Sequence, residues 1–156
     1  MALDTQHPAA PAKPRQSVTS RRVGYGFSVA INAVMLFLIN AWPGWDVLPF
    51  LTQDFSKVLG LVNASIAVGL AVNVMYLVAD PVWFKALGDL LVTAVGIAAM
   101  WAMWQVFPFD FGTGFPWKTL VRIGLVLGLV GSGIAIVVQV VTLTRASAQA
   151  TKMQNG

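Results

Sequence analysis

Lys118–Thr144 reads KTLVRIGLVLGLVGSGIAIVVQVVTLT, with Arg122 the one charge after the opening lysine. An α-helix needs roughly 20 apolar residues to cross a hydrocarbon core of about 30 Å. A helix that is apolar around its whole circumference is surrounded by lipid or by other apolar helices. This stretch therefore predicts a membrane span. Working back along the chain, comparable runs cover about Val82–Phe107, Lys57–Ala79 and Val23–Trp42. The breaks between them fall at Trp42-Pro43-Gly44-Trp45, Asp80-Pro81 and Pro108 onward. Proline cannot continue a helix without cost and disfavours the helical conformation in the residue before it. The expected fold is all-α, a polytopic four-transmembrane-helix bundle of two hairpins.

Composition agrees. The 156 residues are 57% hydrophobic and 10% charged, against about 25% charged in an ordinary soluble domain. Little chain remains for a soluble domain. Residues 1–20, rich in proline and alanine, read as a disordered cytoplasmic arm. Residues 21–145 form the membrane domain and 146–156 a short polar cytoplasmic tail. The apolar run after Arg21-Arg22 is too long for a signal-peptide core and has no small-residue cleavage site after it, so it reads as a retained span. In the first loop, Phe50, Leu51 and Phe55 are expected on the bilayer surface, with Asp54 or Ser56 capping the second span.

Basic residues near span ends set the orientation. Lys13, Arg15, Arg21, Arg22, Lys85, Arg145 and Lys152 lie on the side of the termini; Lys57, Lys118 and Arg122 lie near the other. The positive-inside rule then places both termini in the cytoplasm, with the protein multi-pass in the cell (inner) membrane. Trp42, Trp45, Trp101, Trp104 and Trp117 cluster near the outer boundary, as an interfacial aromatic belt should. VLPF at Val47–Phe50 resembles VFPF at Val106–Phe109, and chance similarity or duplication of a hairpin both explain it.

Asp89 is the leading ionisable candidate, because an acid inside a span is costly and rarely idle. At ~1.5 Å per residue it sits about 10 Å into the third helix, where Lys85 at i,i+4 can pair with it. The plainer reading is an inner-leaflet ion pair or a partner contact; the other is a proton or ion site. Arg122 enters from the opposite side and is too far in depth to neutralise Asp89, so it is expected to snorkel with Lys118 toward lipid phosphates. Asn32 and Asn40 of the first span should lie level with Asn73 and Asn63 of the second. That geometry allows two cross-helix amide pairs, with a polar substrate path as the alternative. Gly124, Gly128 and Ser132, four residues apart, mark a face for close helix packing within the chain or against a partner.

Several activities lose their residue types. The chain has no cysteine and no glutamate, all six acids being aspartates, and its one histidine, His7, lies in the arm. Intramembrane haem ligation, thiol redox chemistry and an embedded-glutamate drug exporter are excluded, and no metal cluster or Ser/His/Asp constellation can be composed. Neither catalysis nor a cofactor is expected. The net charge of +4 is distributed to helix ends rather than gathered on a face, so nucleic acid is not an expected partner.

At Arg21-Arg22-Val23-Gly24-Tyr25 and Asn40-Ala41-Trp42-Pro43-Gly44-Trp45 the chain resembles small four-span actinobacterial membrane proteins. It is also similar to an accessory membrane subunit of mycobacterial Mce lipid importers. The resemblance spans about residues 21–145 and transfers no functional residue. It implies a non-catalytic accessory or assembly subunit of a larger membrane complex that moves lipid, with membrane lipids and that complex as partners. The alternative from the residues themselves is a small homo-oligomeric transporter or channel using Asp89 and the embedded amides. A third reading is a membrane-organising protein whose outer aromatic loops sense headgroups.

Overall fold

A computed structural model describes residues 17–154. Its helices are α1 (Val18–Asn40), α2 (Ser56–Val78), α3 (Val82–Val106) and α4 (Trp117–Gln154), with single 3-10 turns at Trp45–Val47 and Gln53–Phe55. All four helices are long and apolar enough to cross a membrane. The protein is an all-α, multi-span bundle.

Its boundaries follow local chemistry. Ser17 caps α1 by accepting a hydrogen bond from the Ser20 amide at 3.1 Å. The helix therefore begins at Val18, inside the stretch expected to be a disordered arm; the rest of that arm lies outside the described residues. Pro43, preceded by a cis bond, follows α1, and Gly44 turns the chain at φ +93, where an L side chain would be strained. An added Cβ there would also meet the Asp46 carboxylate oxygen at 2.6 Å. Ala79 is extended and Pro81 starts α3. α3 ends on Phe107 in the left-handed conformation (φ 43), its amide held by the Met103 carbonyl at 2.8 Å.

One helix runs on beyond its apolar span, and one expected cap is corrected. α4 continues past Arg145 to Gln154, because ASAQATKMQ contains good helix formers and no proline or glycine to stop it. The polar tail is thus largely a helical extension beyond the apolar span. Neither Asp54 nor Ser56 caps α2 through its side chain. Asp54 pairs instead with Lys57 at 2.6 Å, and the Ser56 hydroxyl donates to the Gln53 carbonyl.

The helices pack in chain order: α1 on α2, α2 on α3, α3 on α4. α2 and α3 are central, while α1 and α4 each have one main neighbour. Two small cores result. Tyr25, Val72 and Tyr76 form one near the termini; Phe55, Val58 and Val62 form the other near the loops. Phe55 is therefore interior rather than laid on the bilayer, since the turn at Gln53–Phe55 points it against Trp45. The loops also hold each other. Thr52 donates to the Pro108 carbonyl at 3.0 Å, and Asp110 to the Phe50 carbonyl at 2.9 Å. Phe50 stacks on Phe111 and Phe111 on Phe109. This cap joins the two hairpins at their loop ends.

Candidate functional site

The densest polar arrangement lies at the termini end, where α1, the α2–α3 turn, α3 and α4 converge. Lys85 and Asp89, one turn apart on α3, form an ion pair at 2.5 Å. The Tyr76 hydroxyl of α2 reaches across, with the Lys85 carbonyl at 2.7 Å and Asp89 Oδ1 at 3.1 Å as acceptors. The Lys85 ammonium stands 5.2 Å from the centre of the Tyr76 ring, within cation–π range. Gly88 makes this approach possible. A Cβ at that position would run into the Tyr76 hydroxyl and lie 2.8 Å from Val72 Cγ1.

A second ion pair stands beside the first. Arg21 Nε of α1 is 3.1 Å from Asp80 Oδ2 in the α2–α3 turn, close enough for Coulombic pairing without the alignment of a hydrogen bond. The Tyr25 hydroxyl donates to the same carboxylate oxygen at 3.3 Å. Tyr25 and Tyr76, the only tyrosines in the chain, pack ring to ring at 5.3 Å and so join the two pairs. α4 is tied in through Thr93: Gln139 Nε2 donates to Thr93 Oγ1 at 3.1 Å, and Thr93 donates to the Asp89 carbonyl at 2.7 Å.

A cavity of about 230 Å³ opens among Arg21, Asp80, Lys85, Asp89, Gln139 and Thr142. The Gln139 carbonyl oxygen is buried and has no hydrogen-bond partner among the described residues. Two aspartates facing one arginine and one lysine leave the group electrically balanced. Paired and hydrogen-bonded charges are the form in which ionisable groups are tolerated below the headgroups. Chemically the arrangement can hold four segments together and admit water. Among the described residues no three His, Cys, Asp or Glu side chains are grouped to hold a metal ion.

The other candidates fall elsewhere. Asn40 and Asn63 exchange two hydrogen bonds across α1 and α2, at 2.9 and 2.6 Å. Asn32 and Asn73 do not pair, contrary to expectation. Each donates within its own helix, Asn32 to Ser28 and Asn73 to Gly69. The register places Asn32 opposite Gly69, one turn from Asn73; the Asn32 amide oxygen lies 3.4 Å from where a Gly69 Cβ would sit.

Arg122 does not meet Asp89. Its guanidinium lies over the rings of Phe107 at 4.8 Å and Trp104 at 5.6 Å, while Lys118 stands 3.7 Å from Asp110. On α4, Gly128 faces α3, where an added Cβ would meet the Met100 sulfur at 2.8 Å, and Ser132 is half-buried. Gly124 is exposed with open space beside it.

Reading the sequence residue by residue missed Arg21, Tyr25, Tyr76, Asp80, Thr93 and Gln139 as members of one group. Arg21 reads as a topology signal and Asp80 as a turn residue, and both roles stand. The signal that was there is the pair of tyrosines on helices expected to run antiparallel, with Gly88 beside Asp89. Comparison with protein-family models, curated proteins and solved structures finds no match.

Proposed function

We propose that this chain is a non-catalytic accessory subunit of a larger complex in the cell membrane, with both termini cytoplasmic. The observation that carries this reading is the serial packing of the helices. α1 and α4 each keep one main neighbour, and on α4 Gly124, Gly131 and Gly133 leave backbone open where a Cβ would meet nothing within 4 Å. Small residues on a membrane helix permit close approach by another helix, which lipid tails do not require. The resemblance to accessory subunits of Mce importers suggests lipid movement as the task of that complex.

The ionisable groups support the same reading. Asp89, the residue a transporter would use, already has Lys85 and Tyr76 as partners, and Asn40 and Asn63 are spent on each other. These contacts hold helices together, and that weighs against a small homo-oligomeric transporter.

Purification of the tagged chain from native membranes in mild detergent tests the proposal. A stoichiometric partner protein should co-elute. A lone monomer or homo-oligomer under several detergents would overturn it, and flux lost on Asp89→Asn in liposomes would favour the transporter instead. Orientation is tested separately. In this cysteine-free chain, Thr113→Cys should react with an impermeant maleimide on intact cells and Ser17→Cys should not.

A further inference from the structure

Arg122 carries an inference that the accessory role does not require. It lies about 8 Å along α4 from Trp117, at ~1.5 Å rise per residue, and so below the loop-side boundary. An arginine at that depth ordinarily pairs with a carboxylate or turns toward the headgroups. Among the described residues Arg122 has no carboxylate within ion-pair distance. The faces of Phe107 and Trp104 hold it instead. Stacking occupies the flat face of a guanidinium and leaves its N–H edge available, and that edge matches the paired oxygens of a phosphate.

The surroundings define what would bring that phosphate. A groove of about 470 Å³ between α3 and α4 is lined by Trp104, Thr119, Arg122, Ile123, Val126 and Leu127. Thr119 precedes Arg122 by one turn on the same face, and among the described residues no group takes its hydroxyl. Ile123, Val126 and Leu127 are exposed and continue the groove along α4, away from Trp117. A polar head at Arg122 and Thr119 thus lies directly above an apolar track. The local charge is unbalanced as well: Asp110 pairs with Lys118 at 3.7 Å, and among the described residues Arg122 is left without a countercharge.

We infer that this groove binds one anionic phospholipid of the loop-side leaflet. Its phosphate sits on the Arg122 N–H edge with Thr119 as a second donor, and an acyl chain lies along Ile123, Val126 and Leu127. A net negative headgroup is preferred because the excess charge beside it is positive.

Native mass spectrometry of the full chain in mild detergent, titrated with palmitoyl-oleoyl phosphatidylglycerol or its phosphatidylcholine counterpart, tests the site. One phosphatidylglycerol should be retained in preference to phosphatidylcholine. Arg122→Gln should weaken its retention about tenfold, the effect of losing charge-assisted hydrogen bonds. Val126→Trp, which fills the track and spares Arg122, should also weaken it. Arg145→Gln, near the other end of the span, should leave it unchanged.

Equal retention of the two lipids, or undiminished phosphatidylglycerol binding by Arg122→Gln, would overturn the inference. If glycerophosphate displaces the lipid and Val126→Trp has no effect, the site takes a small soluble anion and the lipid assignment is wrong. Should Arg122→Gln fail to fold, Arg122→Lys and Val126→Trp decide; both retaining full affinity would refute the site.

Discussion

At the end of the molecule that carries the chain termini, Asp80 and Asp89 are each met by a cation and a tyrosine hydroxyl. At the loop end, Arg122 has two ring faces and, among the described residues, no carboxylate. Both arrangements place charge toward the ends of the membrane spans, and they relieve its desolvation differently. The first compensates charge within the protein and so couples α1, α2, α3 and α4. The second leaves the charge to be answered from outside. A closed network holds helices together; an open charge recruits. Mutations at the two ends should therefore differ in kind, with stability lost at one and lipid preference at the other.

The sharpest way to break the closed end is through Gly88. Gly88→Leu drives a side chain into Tyr76 and Val72 and separates α2 from α3. It should cost about 3 kcal/mol, at the upper end of overpacking penalties, read as thermal unfolding in detergent. No measurable loss would mean that the Tyr76–Asp89 contact does not set the packing.

Next in size are the amides. Asn63→Leu leaves Asn40 without its partner near the loop end and should cost about 1–2 kcal/mol. A double-mutant cycle with Asn40→Leu should return a coupling of about 1 kcal/mol, and additive losses would show that the pair is not energetically joined.

Asp89→Asn should cost about 1 kcal/mol or less, because the Lys85–Asp89 side chains are 41% and 35% exposed and an amide can still accept from Tyr76. Its loss should shrink as salt rises, since charge is what it removes. A salt-independent loss would assign the effect to packing instead.

Smallest of all is Asn73→Ala. Among the described residues that amide bonds only within α2, and its removal should change unfolding by less than about 0.5 kcal/mol. A larger effect would imply a cross-helix role that the register does not provide.

Much of this architecture is legible without coordinates. The spans sit within a few residues of the apolar runs, since in hydrocarbon only a helix can satisfy its own backbone. Proline and glycine at Pro43, Gly44, Pro81 and Pro108 end helices for reasons local to each residue. The Lys85–Asp89 pair is legible too, because i,i+4 spacing is a property of one helix. The helical extension to Gln154 is not legible in the same way: polarity there signals departure from lipid, and departure from lipid does not end a helix.

Contacts between helices are another matter. Asn32 and Asn73 occupy depths that permit pairing, yet a register one turn away separates them and places Asn32 on Gly69. The same register brings Tyr25 onto Tyr76 and thereby links Arg21–Asp80 to Lys85–Asp89. Composition and spacing by themselves determined that this chain is a stack of membrane helices and about where each apolar span lies, because those outcomes depend on transfer of residues into lipid and on local backbone preference. Only the tertiary structure decided which polar groups meet, since rotation and sliding between helices are settled by side-chain packing at Gly69, Gly88 and Gly128, which no single helix encodes.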